Sequence, residues 1–265
     1  MSRALFKHDL KSNWFFFTIT LAVMLMYMSV ISMMYDPASM DAMNNLLSAM
    51  PKQLISAMGF DNLGSTLTDF MASYYYGFII LLFPMIYSIV LSGRLVSRYM
   101  DRGSMAYLLS CPVKRSRIAS TQAIFMLLSL VLLFGLVSAG GYVFCEARFP
   151  GLLEADKYWK LNYNALFLFF AISGICFLCT CSFSEAKVSS ALASGIPLGF
   201  YVIHMLSNVG EKLSWLKNFT IFSLYDAEAI MDGTSTSAWA IALVAIASAA
   251  YAAGIMIFSR RDMVL

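Results

Sequence analysis

The sequence predicts an all-α integral membrane protein with six transmembrane helices, and three observations lead there. Of 265 residues, 60% are hydrophobic and only 12% charged, whereas soluble domains run near ~45–50% apolar and ~25% charged. Apolar runs near the ~20 residues that a bilayer core requires recur over residues 14–35, 70–91, 118–144, 165–183, 188–206 and 238–258. The cations are also unevenly placed. Arg3, Lys7, Lys11, Arg94, Arg98, Arg102, Lys114, Arg115, Arg117, Lys187, Arg260 and Arg261 share one side of this topology, against Lys52, Arg148, Lys157, Lys160, Lys212 and Lys217 on the other. Lysine and arginine near span ends mark the inner face, so both termini are expected in the cytoplasm. No polar stretch leaves room for a second soluble domain, and residues 1–265 read as a single transmembrane domain. The net charge of +3 gives no reason to expect nucleic acid; the lipid bilayer is the expected surrounding.

Residues 1–13, MSRALFKHDLKSN, set Leu5, Phe6 and Leu10 against Arg3, Lys7 and Lys11. That is the pattern of a short basic amphipathic helix over 3–11 lying in the inner interface. The apolar run after it is too long for a signal-peptide core and no A-x-A site follows, so it is expected to stay as an anchor. Between Asp36 and Asp69 the chain is polar, with Met40, Met43, Leu46, Leu47 and Met50, then Leu54, Ile55 and Met58, at helical spacing. Two short amphipathic helices on the outer face fit that spacing.

In the second span Tyr74, Tyr75 and Tyr76 sit near the outer end, where aromatic rings anchor, and Pro84 interrupts the middle. The third span leads into an outer loop expected over residues 145–164. The fourth contains Cys176, Cys179 and Cys181 in CFLCTC. No His, Asp or Glu in that run completes a metal site, and the cysteines read as small residues filling a helix. Cys145 stands alone on the outer side. The fifth span carries Gly195-x-x-x-Gly199, which lets helix backbones approach closely. His204, near its outer end, reads as an interfacial polar residue. Residues 208–237 form the third outer segment, and the alanine-rich sixth span suits a bundle interior.

Several chemistries are excluded. A phosphate-cradling G-x-x-x-x-G-K-[ST] loop is absent; the nearest stretch, Gly59 to Ser65, lacks the lysine, so the chain is not expected to hydrolyse ATP. There is no H-E-x-x-H. His204-x-x-x-Asn208 resembles one motif of CAAX-type membrane proteases, but the paired glutamates those enzymes need are missing. No span interior holds an Asp, Glu, Lys or Arg, which argues against an ion-coupled secondary transporter. No catalytic, cofactor-binding or metal-binding residue is therefore assigned.

Energy must then arrive from a partner, and charge is densest between Gly93 and Gln122. Arg94, Arg98 and Arg102 recur every four residues, one stripe on a helix. An apolar piece, residues 105–109, follows and is flanked by Lys114, Arg115 and Arg117. Such a segment can lay its apolar face in a groove of a soluble protein while the cations fix its orientation.

Residues 101–118, DRGSMAYLLSCPVKRSRI, resemble the coupling-segment signature of type-2 ABC transporter permeases. The likeness continues at 187–201 (KVSSALASGIPLGFY), 220–233 (TIFSLYDAEAIMDG) and 258–262 (FSRRD). The resemblance implies a connecting helix over 3–11 and a cytoplasmic coupling helix between spans two and three. Gly103, Ser104, Met105, Tyr107, Leu108, Leu109, Pro112 and Arg115 would contact the ATPase, with Arg94, Arg98 and Arg102 in support. It also implies two copies of a separately encoded ABC ATPase subunit holding ATP and Mg, and a second permease copy in a homodimer. The bacterial inner membrane would be the location, with a path lined by the first, second and fifth spans. The expected activity is export of an amphipathic or hydrophobic substrate, foremost a peptide. Sodium efflux, drug efflux and lantibiotic immunity stand as alternatives in the same family.

Overall fold

The computed structural model describes residues 3–35, 66–97, 114–183, 185–209, 211–234 and 236–260. Among them there are helices and turns but no strand. Six helices are long and apolar enough to cross a membrane: α1 (Arg3–Met34), α2 (Leu67–Ser97), α3 (Arg115–Arg148), α4 (Ala155–Ser182), α5 (Ala186–Asn208) and, after the short α6 (Ala227–Met231), α7 (Ser237–Arg260). Each apolar run of the sequence falls on one of them, with Tyr35 and Phe183 just past the ends of α1 and α4. The two outer helices expected between residues 40 and 69 fall almost wholly outside the described residues.

α4 is the centre of the bundle. It packs against α2, α3, α5 and α7, and α1 leans on α3 and α2 from the other side. Small residues set the closest seam, between α4 and α7. A Cβ on Gly174 would lie 3.2 Å from the Ala250 side chain, and one on Gly254 would lie 2.9 Å from the Phe177 ring. Tyr251 closes the seam by donating to the Ser173 hydroxyl at 2.8 Å. In lipid, packing of this kind replaces the hydrophobic drive that water supplies to soluble bundles.

Away from the termini, buried polar side chains knit α2, α3 and α4. Asn162 donates to the Tyr76 hydroxyl at 2.6 Å and accepts from Ser138 at 3.0 Å, while Tyr158 donates to the Ser138 carbonyl at 2.8 Å. Nearby, the Cys145 thiol donates to Met71 Sδ at 3.7 Å and lies 3.4 Å from the Ser32 hydroxyl, so this cysteine is core packing between α1, α2 and α3. Tyr75 and Tyr76 are fully buried on a π-helical stretch, Ala72–Ile79, so they serve the core and not the interface. Tyr142, Trp159 and Tyr163 stack in a ladder at this end, and Tyr163 is exposed, the arrangement of an interfacial anchor.

Three sequence expectations change here. Residues 3–11 are not a separate helix: α1 runs unbroken for 32 residues, about 48 Å at 1.5 Å per residue. Its first turns pack on α3 through Phe6 against Phe125. The buried stripe there is Leu5, Asp9 and Asn13, and Leu10 is exposed. The loop expected over 145–164 shrinks to residues 149–154, because α3 continues to Arg148 and α4 starts at Ala155. Gly151, at φ +73°, makes the turn between them. Asp9, which precedes the expected span at 14–35, is buried in the first turns of α1.

The segment after α5 is also more than a surface connection. Two 3₁₀ turns, Glu211–Phe219 and Ile221–Leu224, precede α6. Thr220 donates to the Phe200 carbonyl at 2.9 Å, eight residues short of the end of α5, or about 12 Å down its axis. The chain thus folds back along the helix it has just left. Phe222 is buried, its ring 5.6 Å from Tyr201 and 5.8 Å from His204. Asp226 caps α6 by accepting from the Glu228 and Ala229 amides. Gly233, at φ +78°, ends it, with its own N–H and that of Thr234 taken by Ile230 and Ala229.

Candidate functional site

Attention falls on the end of the bundle where α2 stops and α3 begins. α1 and α3 run parallel from this end, and α2, α4 and α7 run towards it, so Arg3, Ser97, Arg115, Ser182, Ala186 and Arg260 all lie there. Described cations at this end are Arg3, Lys7, Lys11, Arg94, Lys114, Arg115, Arg117, Lys187 and Arg260.

The last turn of α2, Gly93–Ser97, is π-helical. Such turns occur often at functional sites because they insert an extra residue into the helical ladder. Here three different helices hold it. Arg94 places its guanidinium 4.6 Å from the centroid of the Phe16 ring on α1, a cation–π contact. Phe16 in turn stacks on Tyr87 of α2, with centroids 5.3 Å apart. The Gln122 amide of α3 donates to the main-chain carbonyl of Leu95. The Ser97 and Ser189 hydroxyls bond at 2.7 Å and join the turn to α5. Leu95, Val96, Ser97, Gln122 and Ser189 are all buried.

Of the residues named from sequence, Gly103, Ser104, Met105, Tyr107, Leu108, Leu109 and Pro112 lie outside the described residues, as do Arg98 and Arg102 of the basic stripe. Arg94 is described, and its head group is directed to α1. Arg115 opens α3 and is half-buried. Sequence reasoning missed Gln122, Ser97 and Ser189. The available signal was an amide-bearing side chain inside an otherwise apolar span, a rare residue type there and one that must find a partner in lipid.

α5 differs from its neighbours in what it leaves uncovered. Lys187, Ser190, Ala191, Gly195, Leu198 and Val202 are exposed along it. A Cβ added at Gly195 or Gly199 would meet nothing within 4 Å. Among the described residues, the close approach that this G-x-x-x-G permits is not used. The other face of α5 is tied to α4: Pro197 has no N–H to offer the Ala193 carbonyl, and the Cys176 thiol donates to it at 3.4 Å.

Residues 5–263 match the family model described as ABC-2 family transporter protein. With nearly the whole chain matched and six membrane-length helices present, this chain belongs to the ABC-2 permease family, the membrane-spanning subunits of ABC transporters. It is a multi-pass membrane protein, and members of the family work with an ABC ATPase partner. No curated protein matches the chain.

Proposed function

We propose that the chain is the permease of an ATP-driven exporter for an amphipathic or apolar substrate, foremost a peptide. It acts as a homodimer with two copies of a separate ATPase subunit. In this reading the end bearing both termini faces the cytoplasm of a bacterial cell, and the ATPase holds ATP and Mg. Gly103, Ser104, Met105, Tyr107, Leu108, Leu109, Pro112 and Arg115 contact the ATPase. Arg98 and Arg102 support that contact, and Arg94 anchors it to α1.

The observation that carries this reading is the triple attachment of the α2 terminus. A subunit that grips the residues after Ser97 pulls on a turn bonded to α1, α3 and α5 together. Closure of an ATPase dimer would then become tilting of several spans. The interior supports the proposed substrate class. Among the described residues the buried polar groups are hydroxyls, amides and thiols, with Asp9 the single buried carboxylate. An apolar body with polar handles suits such an interior better than a bare cation does. The uncovered small-residue stripe of α5 supports the second copy, since in lipid such stripes allow two helix backbones to approach.

The test is ATP-dependent uptake of a fluorescent amphipathic peptide by inverted vesicles carrying this chain and its ATPase. Uptake should require both subunits. Leu109→Asp should lower it at least about tenfold, the effect of ~1.4 kcal/mol, while the mutant chain still inserts. Normal uptake by Leu109→Asp, or uptake without the ATPase, would refute the reading.

A further inference from the structure

We infer that Gln122 is a positioning residue for energy coupling: its amide clamps the main chain of the last turn of α2 to α3, so that displacement of that turn is handed to α3. The inference rests on the transporter reading above and assigns one of its three links to a single side chain.

Gln122 is fully buried, one helical turn from Ile118, Ala119, Phe125 and Met126, which are buried as well. An amide in such a setting is costly unless bonded. Thr121, Ser129 and Ser138 of α3 donate to the carbonyls of Arg117, Met126 and Phe134 in their own helix, and Ser138 also bonds the Asn162 side chain of α4. Gln122 instead reaches the backbone of a different helix. A main-chain acceptor matters here, because a carbonyl moves with its helix whereas a side chain can swing to follow a partner. The bond therefore registers where the α2 backbone is.

That carbonyl belongs to Leu95, in the middle of the π turn, two residues from the Ser97–Ser189 link to α5 and next to Arg94 on α1. No rigid displacement of this five-residue turn can leave α3 behind while the bond holds. Gln122 Oε1 is buried without a hydrogen-bond partner. The side chain thus keeps one unused acceptor next to the element that moves, and an exchange of partners is open to it when the turn shifts.

The test uses the full complex of this chain with its ATPase in lipid nanodiscs. Hydrogen exchange is followed by mass spectrometry with and without ATP plus vanadate. In the parent complex, trapping should change exchange at the inner ends of α2 and α3 together. Gln122→Met keeps side-chain length but lacks the amide. With it, the α2 end should still respond and the start of α3 should not. Ser189→Ala, cutting the other link, should spare the α3 response and weaken that at the start of α5. An unchanged α3 response in Gln122→Met overturns the inference. So does failure of the Gln122→Met complex to assemble, which would make the bond structural only. A parent complex that shows no nucleotide response anywhere would instead sink the transporter reading itself.

Discussion

Cys176 illustrates how a single side chain can repair a backbone. Pro197 leaves the Ala193 carbonyl of α5 without its helical donor, and the thiol across the α4–α5 seam supplies one. In lipid an unpaired carbonyl has no water to turn to. Cys176→Ala should therefore destabilise the fold by ~1 kcal/mol. Pro197→Ala restores the N–H, and in that background the cost of Cys176→Ala should shrink. A double-mutant cycle of unfolding in detergent measures the difference; strict additivity would count against the repair. The sequence showed CFLCTC as small residues in a helix and could not show which cysteine faced the freed carbonyl. That pairing depends on the register between α4 and α5, which no local pattern encodes. Asp9 was hidden for a similar reason. Its four-residue spacing from Leu5 and Asn13 is plain in the sequence, but that this face is the buried one depends on tertiary packing.

Helices were more legible than residues. Hydropathy located all six apolar runs because lipid imposes the same demand on each. It misplaced the ends because a helix continues for as long as its backbone bonds and side-chain packing allow. α3 and α4 pass well beyond the apolar stretch and shorten their connection to residues 149–154. The fold-back at Thr220 was also concealed, since its buried Ile221, Phe222 and Tyr225 are too few to resemble a span. Glycines separate two kinds of helix contact. Gly254→Leu would drive a side chain into Phe177 and should cost ~1–3 kcal/mol of stability. Gly199→Leu has open space and should leave thermal unfolding of the single chain unchanged. If α5 meets a second copy, Gly199→Leu should still reduce cross-linking between copies; equal cross-linking would remove α5 from that interface.

The whole molecule is polarised, with cations gathered where α2 and α3 are joined. With Cys111 replaced by serine, the described cysteines are buried and should not react. In intact cells a membrane-impermeant maleimide should then label Trp215→Cys, which is exposed on the 3₁₀ turn after α5. It should label Lys187→Cys only after the membrane is opened. The reverse pattern would invert the orientation and place residues 98–113 outside the cell, beyond reach of an ATPase. Charge asymmetry in the sequence is the ground for this expected orientation. The linkages that would let one end influence the rest were not readable, because each joins residues far apart in the chain.

The unbroken course of α1 gives this asymmetry a mechanical meaning. Its 32 residues cross the entire bundle without a proline, a glycine or a change of helical type. Phe6 packs on Phe125 near one end, Phe16 takes the Arg94 contact near the middle, and at the other end Ser32 touches Cys145 while Tyr35 meets Phe70. A rod held at both ends cannot absorb a push by bending at a hinge, so a tilt imposed at one membrane face arrives at the other as a lever stroke.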